Sequence, residues 1–214
     1  MRPSKRDELV RKALTVFYRD GFHATGMDTL VQETGISKTT MFKHFRTKEE
    51  LILAVLRLRD ENFRNWLMRR IADLSPSPAG QLIAVFDALE EWFAEPDFRG
   101  CLFIKAAGEY PEEGHPIHAQ SAEHKRLLKK GLEAIARAAG AADPNLLARQ
   151  LLILKEGAIV AAHMGFDPDP AGAAKSAAKG LLAQALGSCA TSERSDELHA
   201  ERKPGCQPLC GDPA

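Results

Sequence analysis

Apolar residues along this chain recur every three to four positions and nowhere alternate one by one, so it can fold only as packed helices. Capping residues, glycines and prolines divide the periodic pattern into segments. Ser4 is placed to cap a helix over residues 4–19 whose Leu9, Val10, Ala13, Leu14 and Phe17 share one face, and Asp20-Gly21 ends it. Thr25, three before Asp28, opens a short helix that carries Leu30 and Val31 and closes at Gly35. Ser37 caps the next helix, with Ile36 and Met41 spaced as a hydrophobic staple, and that helix ends near His44-Phe45. Thr47 and Glu50 form a further capping box. It starts a long amphipathic helix with Leu51, Ile52, Val55, Leu58, Asn62 and Trp66 as its stripe. After the Ser75-Pro76-Ser77-Pro78 break, helical patterning is expected over 79–95, 102–107, 116–139, 146–164 and from Pro170 to Leu186. The expected fold is all-α, without internal repeats. Residues 187–214 lack an apolar period, are rich in Ser, Glu, Pro and Gly, and are expected to be a disordered tail.

Two short helices joined at a glycine-containing turn, 27–34 and 37–44, have the spacing of a helix-turn-helix. In that motif the first helix braces across the phosphates and the second enters the major groove, so the second must be short and polar on its outer face. Ile36, Met41 and Phe45 can turn inward against Leu30 and the first helix, which leaves Lys38, Thr39, Lys43 and His44 outward. Charge agrees with this reading. The chain is neutral overall, with 29 basic and 29 acidic residues, yet residues 1–48 hold ten basic against five acidic ones. A basic head on an acidic body suits a nucleic-acid partner. No apolar run approaches the roughly 20 residues needed to cross a bilayer, the first residues MRPSKRDELV carry no apolar signal segment, and the four cysteines are sparse. A cytoplasmic location is therefore expected.

The stretch DGFHATGMDTLVQETGISKTTMFKHFRTKEEL resembles the DNA-binding domain of the TetR family of transcriptional regulators. The match is carried by Gly21-Phe22, Ala24-Thr25, Met27-Asp28, Gly35-Ile36-Ser37-Lys38 and the run from Phe42 to Leu51. The resemblance implies phosphate contacts from Thr25, Ser37, Lys38, Phe42, His44 and Lys48, and base contacts from Thr39, Thr40 and Lys43. Three positions depart from the family pattern: Thr39 where glycine is frequent, Phe42 where tyrosine is common, and Gly26 where Ser or Thr is commoner. Residues 99–126 are similar to a C-terminal pattern in one branch of these regulators. The domains implied are a DNA-binding head over 4–50 and a ligand-binding and dimerisation body over 51–186. The resemblance also implies a homodimer joined through the last two helices, of which the second is dense in Ala and Gly. It implies binding to a near-palindromic double-stranded operator and release by a small-molecule effector.

Phe86, Trp92, Phe93, Phe103, Tyr110, His163 and Met164 are the candidate lining of an effector pocket, with ordinary core packing as the competing reading for each. His115, His118 and His124 invite a metal hypothesis, but their spacing puts them on different faces or in a loop, and Cys206 and Cys210 have no second ligand pair. No metal or cofactor is expected. Cys101, beside Leu102 and Phe103, reads as a small hydrophobe or a redox sensor. An enzyme would need a nucleophile, base and orienting group in register, and no such set is present. A ligand-independent architectural DNA-binding protein is the remaining alternative. A pocket of several hundred cubic ångströms would separate the sensor from it.

Overall fold

A computed structural model describes residues 4–200, with side chains described through residue 187. Nine α-helices and no strand are present among the described residues: α1 (Lys5–Asp20), α2 (Met27–Thr34), α3 (Lys38–His44), α4 (Lys48–Leu74), α5 (Pro78–Phe93), α6 (Leu102–Glu109), α7 (Pro116–Ala138), α8 (Pro144–Met164) and α9 (Pro170–Ala200).

The caps explain most of the starts. Ser4, Ser37, Thr47, Ser77 and Asp143 each accept a hydrogen bond from a first-turn backbone N–H, satisfying a donor that the helix itself cannot. The Thr47 box is reciprocal only in part. Thr47 accepts from the Glu50 amide at 3.2 Å, whereas the Glu50 carboxylate reaches one residue further back, to the Arg46 amide at 2.8 Å. Prolines occupy the first turn of α5, α7 and α8, where a missing N–H costs nothing.

The structure corrects three expectations. Thr25 does not cap α2. Gly26 holds that position without a side-chain bond, and the Thr25 hydroxyl instead donates to the Gly21 carbonyl at 2.7 Å. The buried face of α4 runs through Leu51, Ile52, Val55, Leu56, Asp60, Phe63, Leu67 and Ile71, leaving Asn62 exposed and Leu58 and Trp66 only half-buried. The last helix does not stop at Leu186 but continues to Ala200, since no proline follows Pro170 until Pro204. Of the expected tail, residues 201–214, with Cys206 and Cys210, lie outside the described residues.

Helices α1 to α3 pack together as the head, and α5 to α9 form the body. The 27-residue α4 belongs to both, packing on α1 at one end and on α5 and α7 at the other, so the expected boundary after residue 50 falls inside a continuous helix. The core is contiguous through both parts. The small residues of α9 serve two faces. Ala171, Ala174 and Ala178 are buried with Leu182, whereas Ala173, Ala177 and Gly180 are exposed. On α8 a second apolar row faces away from the core: Leu146, Ile153, Val160 and Met164 are 46%, 70%, 38% and 69% exposed. No helix among the described residues is long and apolar enough to cross a membrane.

Candidate functional site

The head presents α3 on a rigid base. Met41 is fully buried, Ile36 and Phe45 nearly so, and together they seat the helix against Leu30 and α1. Gly35, at φ +66, turns the chain sharply enough to set α3 across α2, a conformation that an L side chain adopts only under strain. Ser37 accepts from the Thr40 amide, and the two hydroxyls lie 2.9 Å apart, so the helix N-terminus is closed before DNA arrives. Lys38, Thr39, Phe42 and Lys43 are exposed, while Thr40 and His44 are half-buried.

The expected contact set divides accordingly. Thr25 is fully buried, and its hydroxyl donates to the Gly21 carbonyl within the loop before α2. The Lys48 ammonium donates to the Phe22 and Thr25 carbonyls at 3.0 and 3.3 Å, pinning that loop to α4. Lys38 is paired with Asp28 at 2.9 Å, an exposed bridge that DNA could exchange at little cost. Most other cations of the head are also paired, to Glu8, Asp7, Asp20 or Glu33. Lys43 and Arg46, on or next to α3, have no carboxylate partner among the described residues.

The head is tied to the body through α6. The Glu109 carboxylate, at the end of that helix, accepts from the amides of Phe22 and His23, and His23 Nε2 lies 2.7 Å from the Glu109 carbonyl. Gly21, at φ +85, lies so close that an added Cβ would meet Glu109 Oε1 at 2.9 Å. Lys105, also on α6, donates to the Tyr18 carbonyl at 3.0 Å, and the Tyr18 hydroxyl donates to the Gly100 carbonyl. Tyr110 closes the joint against Phe22, His23 and His115. Its hydroxyl is buried without a partner among the described residues, and burial pushes its pKa up to about 12.

The other end of α6 reaches the interior of the body. Leu102 and Phe103 line a cleft with Arg59, Phe63, Trp92, Cys101, His124, Lys155 and Ile159. Its water-sized space is only about 10 Å³, room for about one water. The cleft is therefore closed, far short of the several hundred cubic ångströms that a small-molecule pocket occupies. Of the candidate lining, Trp92 and Phe103 are in the cleft. Phe86 is fully buried core, Phe93 packs on Phe98, and Tyr110 belongs to the joint. His163 packs against Phe98 beside Gly100, and Met164 lies on the exposed row of α8. Arg59, Phe63, His124, Lys155 and Ile159 join the cleft without any local mark in the sequence, since they sit at helical spacing among other apolar or charged residues.

Buried charge surrounds this cleft. Asp60 accepts two bonds from Arg64, both 2.8 Å, and one from His124 Nδ1 at 2.7 Å. Burial pushes the Asp60 carboxyl up, but these bonds outweigh it and hold the pKa below the ordinary value. Burial, offset only in part by Asp60, holds the His124 imidazole down at about 4, so near pH 7 it is neutral, donates through Nδ1 and stacks on Phe103. The three histidines are spent separately: His115 caps α7, His118 bonds the Tyr110 carbonyl, and His124 bonds Asp60. A depressed histidine pKa stabilises the fold fully above the unfolded value of about 6.5 and progressively less as pH falls towards 4. Between pH 7 and 5 the His124 contribution falls by about 2 kcal/mol. Urea denaturation at the two pH values should show wild type losing about that much more stability than His124→Gln. Equal slopes would refute the assignment.

The family model described as "Bacterial regulatory proteins, tetR family" matches residues 9–55, and the one described as "Tetracyclin repressor-like, C-terminal domain" matches residues 78–178. A TetR-family transcriptional regulator from Streptomyces coelicolor superposes with a TM-score of 0.77 at 30% identity, over 85% of this chain and 95% of that one. The transcriptional regulator YjdC of Escherichia coli is 23% identical over 155 residues, 72% of this chain and 81% of YjdC. The transcriptional repressor KstR2 of Mycolicibacterium smegmatis is 34% identical over 99 residues, 43% of this chain and 46% of KstR2. The chain belongs to the TetR family of DNA-binding transcriptional regulators, and not to an enzyme family.

Proposed function

We propose that the protein is a dimeric repressor that grips a near-palindromic operator with two copies of α3 and lets go when a small molecule opens the body cleft. The observation that carries this reading is α6. Eight residues long, it has Leu102 and Phe103 in the cleft at one end and Glu109 bonded to the Phe22–His23 backbone at the other. A ligand acts through such a link only by preferring the conformer whose heads fit DNA poorly. The dimer reading is supported by the outward row of α8 and the exposed small residues of α9. A shallow groove of about 180 Å³, lined by Leu146, Gln150, Leu181 and Gln184, lies between these helices.

In this reading Lys43 reads a base. It is exposed, carried on α3 and free of any carboxylate among the described residues, and a lysine can donate to guanine O6 and N7. Phosphate contacts fall to Ser37, Lys38, Phe42 and His44, with Thr39 and Thr40 facing the base edges. Selection from random duplexes should yield two half-sites about one helical turn, or a multiple, apart. Lys43→Ala should then cost about 1–3 kcal/mol and relax one symmetric base pair. A uniform loss over all sequences would make Lys43 a phosphate contact.

The closed interior favours a second reading, a regulator that needs no effector. Operator affinity unmoved by a broad metabolite library, with no compound bound to the body, would decide for it.

A further inference from the structure

The cleft gathers more basic side chains than carboxylates. Lys155 is 1% exposed and donates to Glu156 at 2.9 Å. Lys125 uses the same carboxylate through its other oxygen and also donates to Cys101 Sγ at 3.2 Å. Two lysines thus share one carboxylate, in a place where burying charge is expensive, and burial holds the Lys155 pKa below its ordinary value. Burial pushes the Glu156 carboxyl up, yet Lys155 and Lys125 hold it down at about 2, so it is already fully ionised and has no further charge to offer.

Arg59 lines the same cleft. It has no carboxylate partner among the described residues and leans on rings instead, 5.1 Å from the Tyr18 centroid and 5.7 Å from those of Phe63 and Trp92. Lys155 lies 5.3 Å from the same Phe63 ring. The other charged groups here close on one another: Asp60 is consumed by Arg64 and His124. Outside the cleft, Arg59, Phe63 and Trp92 also border an open groove of about 190 Å³ with Asn62, Trp66 and Glu95, and Glu95 makes no ion pair with Arg59. Groove and cleft share Arg59, Phe63 and Trp92.

We infer that this cleft takes a small organic acid, its carboxylate held by Lys155 and Arg59 and its apolar body packed against Phe63, Trp92 and Phe103. The inference rests on the effector-release reading and supplies the ligand's chemistry. An anion there gives Lys155 and Arg59 the acceptor that Glu156, shared with Lys125, does not supply, and a flat or short acyl body fills the space between the rings once the cleft has opened. A cationic or neutral compound gains only the second part.

Calorimetric titration of the full-length protein with matched pairs tests this: benzoate, phenylacetate and hexanoate against benzamide, phenylacetamide and hexanamide. The acids should bind at least tenfold more tightly than their amides. Lys155→Met should bring that ratio close to one. Arg59→Gln, at a half-exposed position that leaves the core intact, should lower it as well. Amides binding as well as acids, or an acid preference surviving Lys155→Met, overturns the inference. Operator release measured in parallel separates the two levels. Release by neutral compounds alone would remove the acid and keep the effector reading, and no binding by either series with an operator affinity that nothing shifts would remove both.

Discussion

Ile153→Glu should convert the protein to monomers in sedimentation experiments and weaken operator binding by at least a hundredfold. Ile153 is 70% exposed at the centre of the α8 row, between Leu146 and Val160 at seven-residue intervals, so in the proposed dimer each substitution would place a charge in the middle of the contact between subunits. A carboxylate buried there without a partner costs several kcal/mol, and in a two-fold interface the penalty is counted twice. The affinity loss follows because specific complexes are typically about 10³–10⁷ tighter than non-specific ones, and one short α3 reads only half of a palindrome. Because the side chain touches little within its own subunit, thermal stability extrapolated to low concentration should be unchanged. A variant that stays dimeric would move the interface away from α8.

Glu109→Ala should cost about 2–4 kcal/mol in stability and disconnect the effector response from the head. The carboxylate accepts from two backbone amides of the Gly21–His23 loop, the part-buried Phe22 amide and the exposed His23 amide, and a hydrogen bond to a charged acceptor contributes about 1.5–3 kcal/mol, less where water can take its place. Operator affinity should fall about tenfold, since the head loses its fixed bearing on the body, while ligand binding in the cleft stays intact. That split distinguishes a lost coupling from general unfolding. Calorimetry on the same preparation reads the ligand, and anisotropy with labelled operator reads the head. If the variant still releases DNA on ligand binding, Glu109 is a structural brace and coupling runs along α4.

How much of this is legible in the sequence depends on the range of the interaction. Caps are local, and Ser4, Ser37 with its Ile36–Met41 staple, Thr47 and Asp143-Pro144 all announce their helices within four residues. The helix over 38–44 is legible for the same reason. Thr25 misleads because it sits one residue before the true cap and spends its hydroxyl on the Gly21 carbonyl instead. The face of α4 is easily misread because Leu58 and Trp66 are apolar yet only half-buried, while Asp60 lies inside, made tolerable by His124 sixty-four residues away. Lys155 follows the same logic: a lysine in a helix reads as surface until its neighbours in the fold close over it. The Glu109 joint spans about ninety residues of sequence, beyond any periodic signal. Met164 passes for lining because an outward apolar row has the same spacing as an inward one.

The continuity of α4 has a mechanical corollary. Twenty-seven residues make a stiff rod roughly 40 Å long, with Arg59 and Phe63 placing its middle in the cleft, roughly 20 Å from the end under the head. Pivoting the rod at the cleft by about 10° would swing its head end about 3.5 Å, and in the proposed dimer two-fold symmetry would turn this into a change of roughly 7 Å between the two reading helices. A major groove is about 12 Å wide, so an angular adjustment no larger than the scatter of ordinary helix packing is enough to make two heads miss their grooves together.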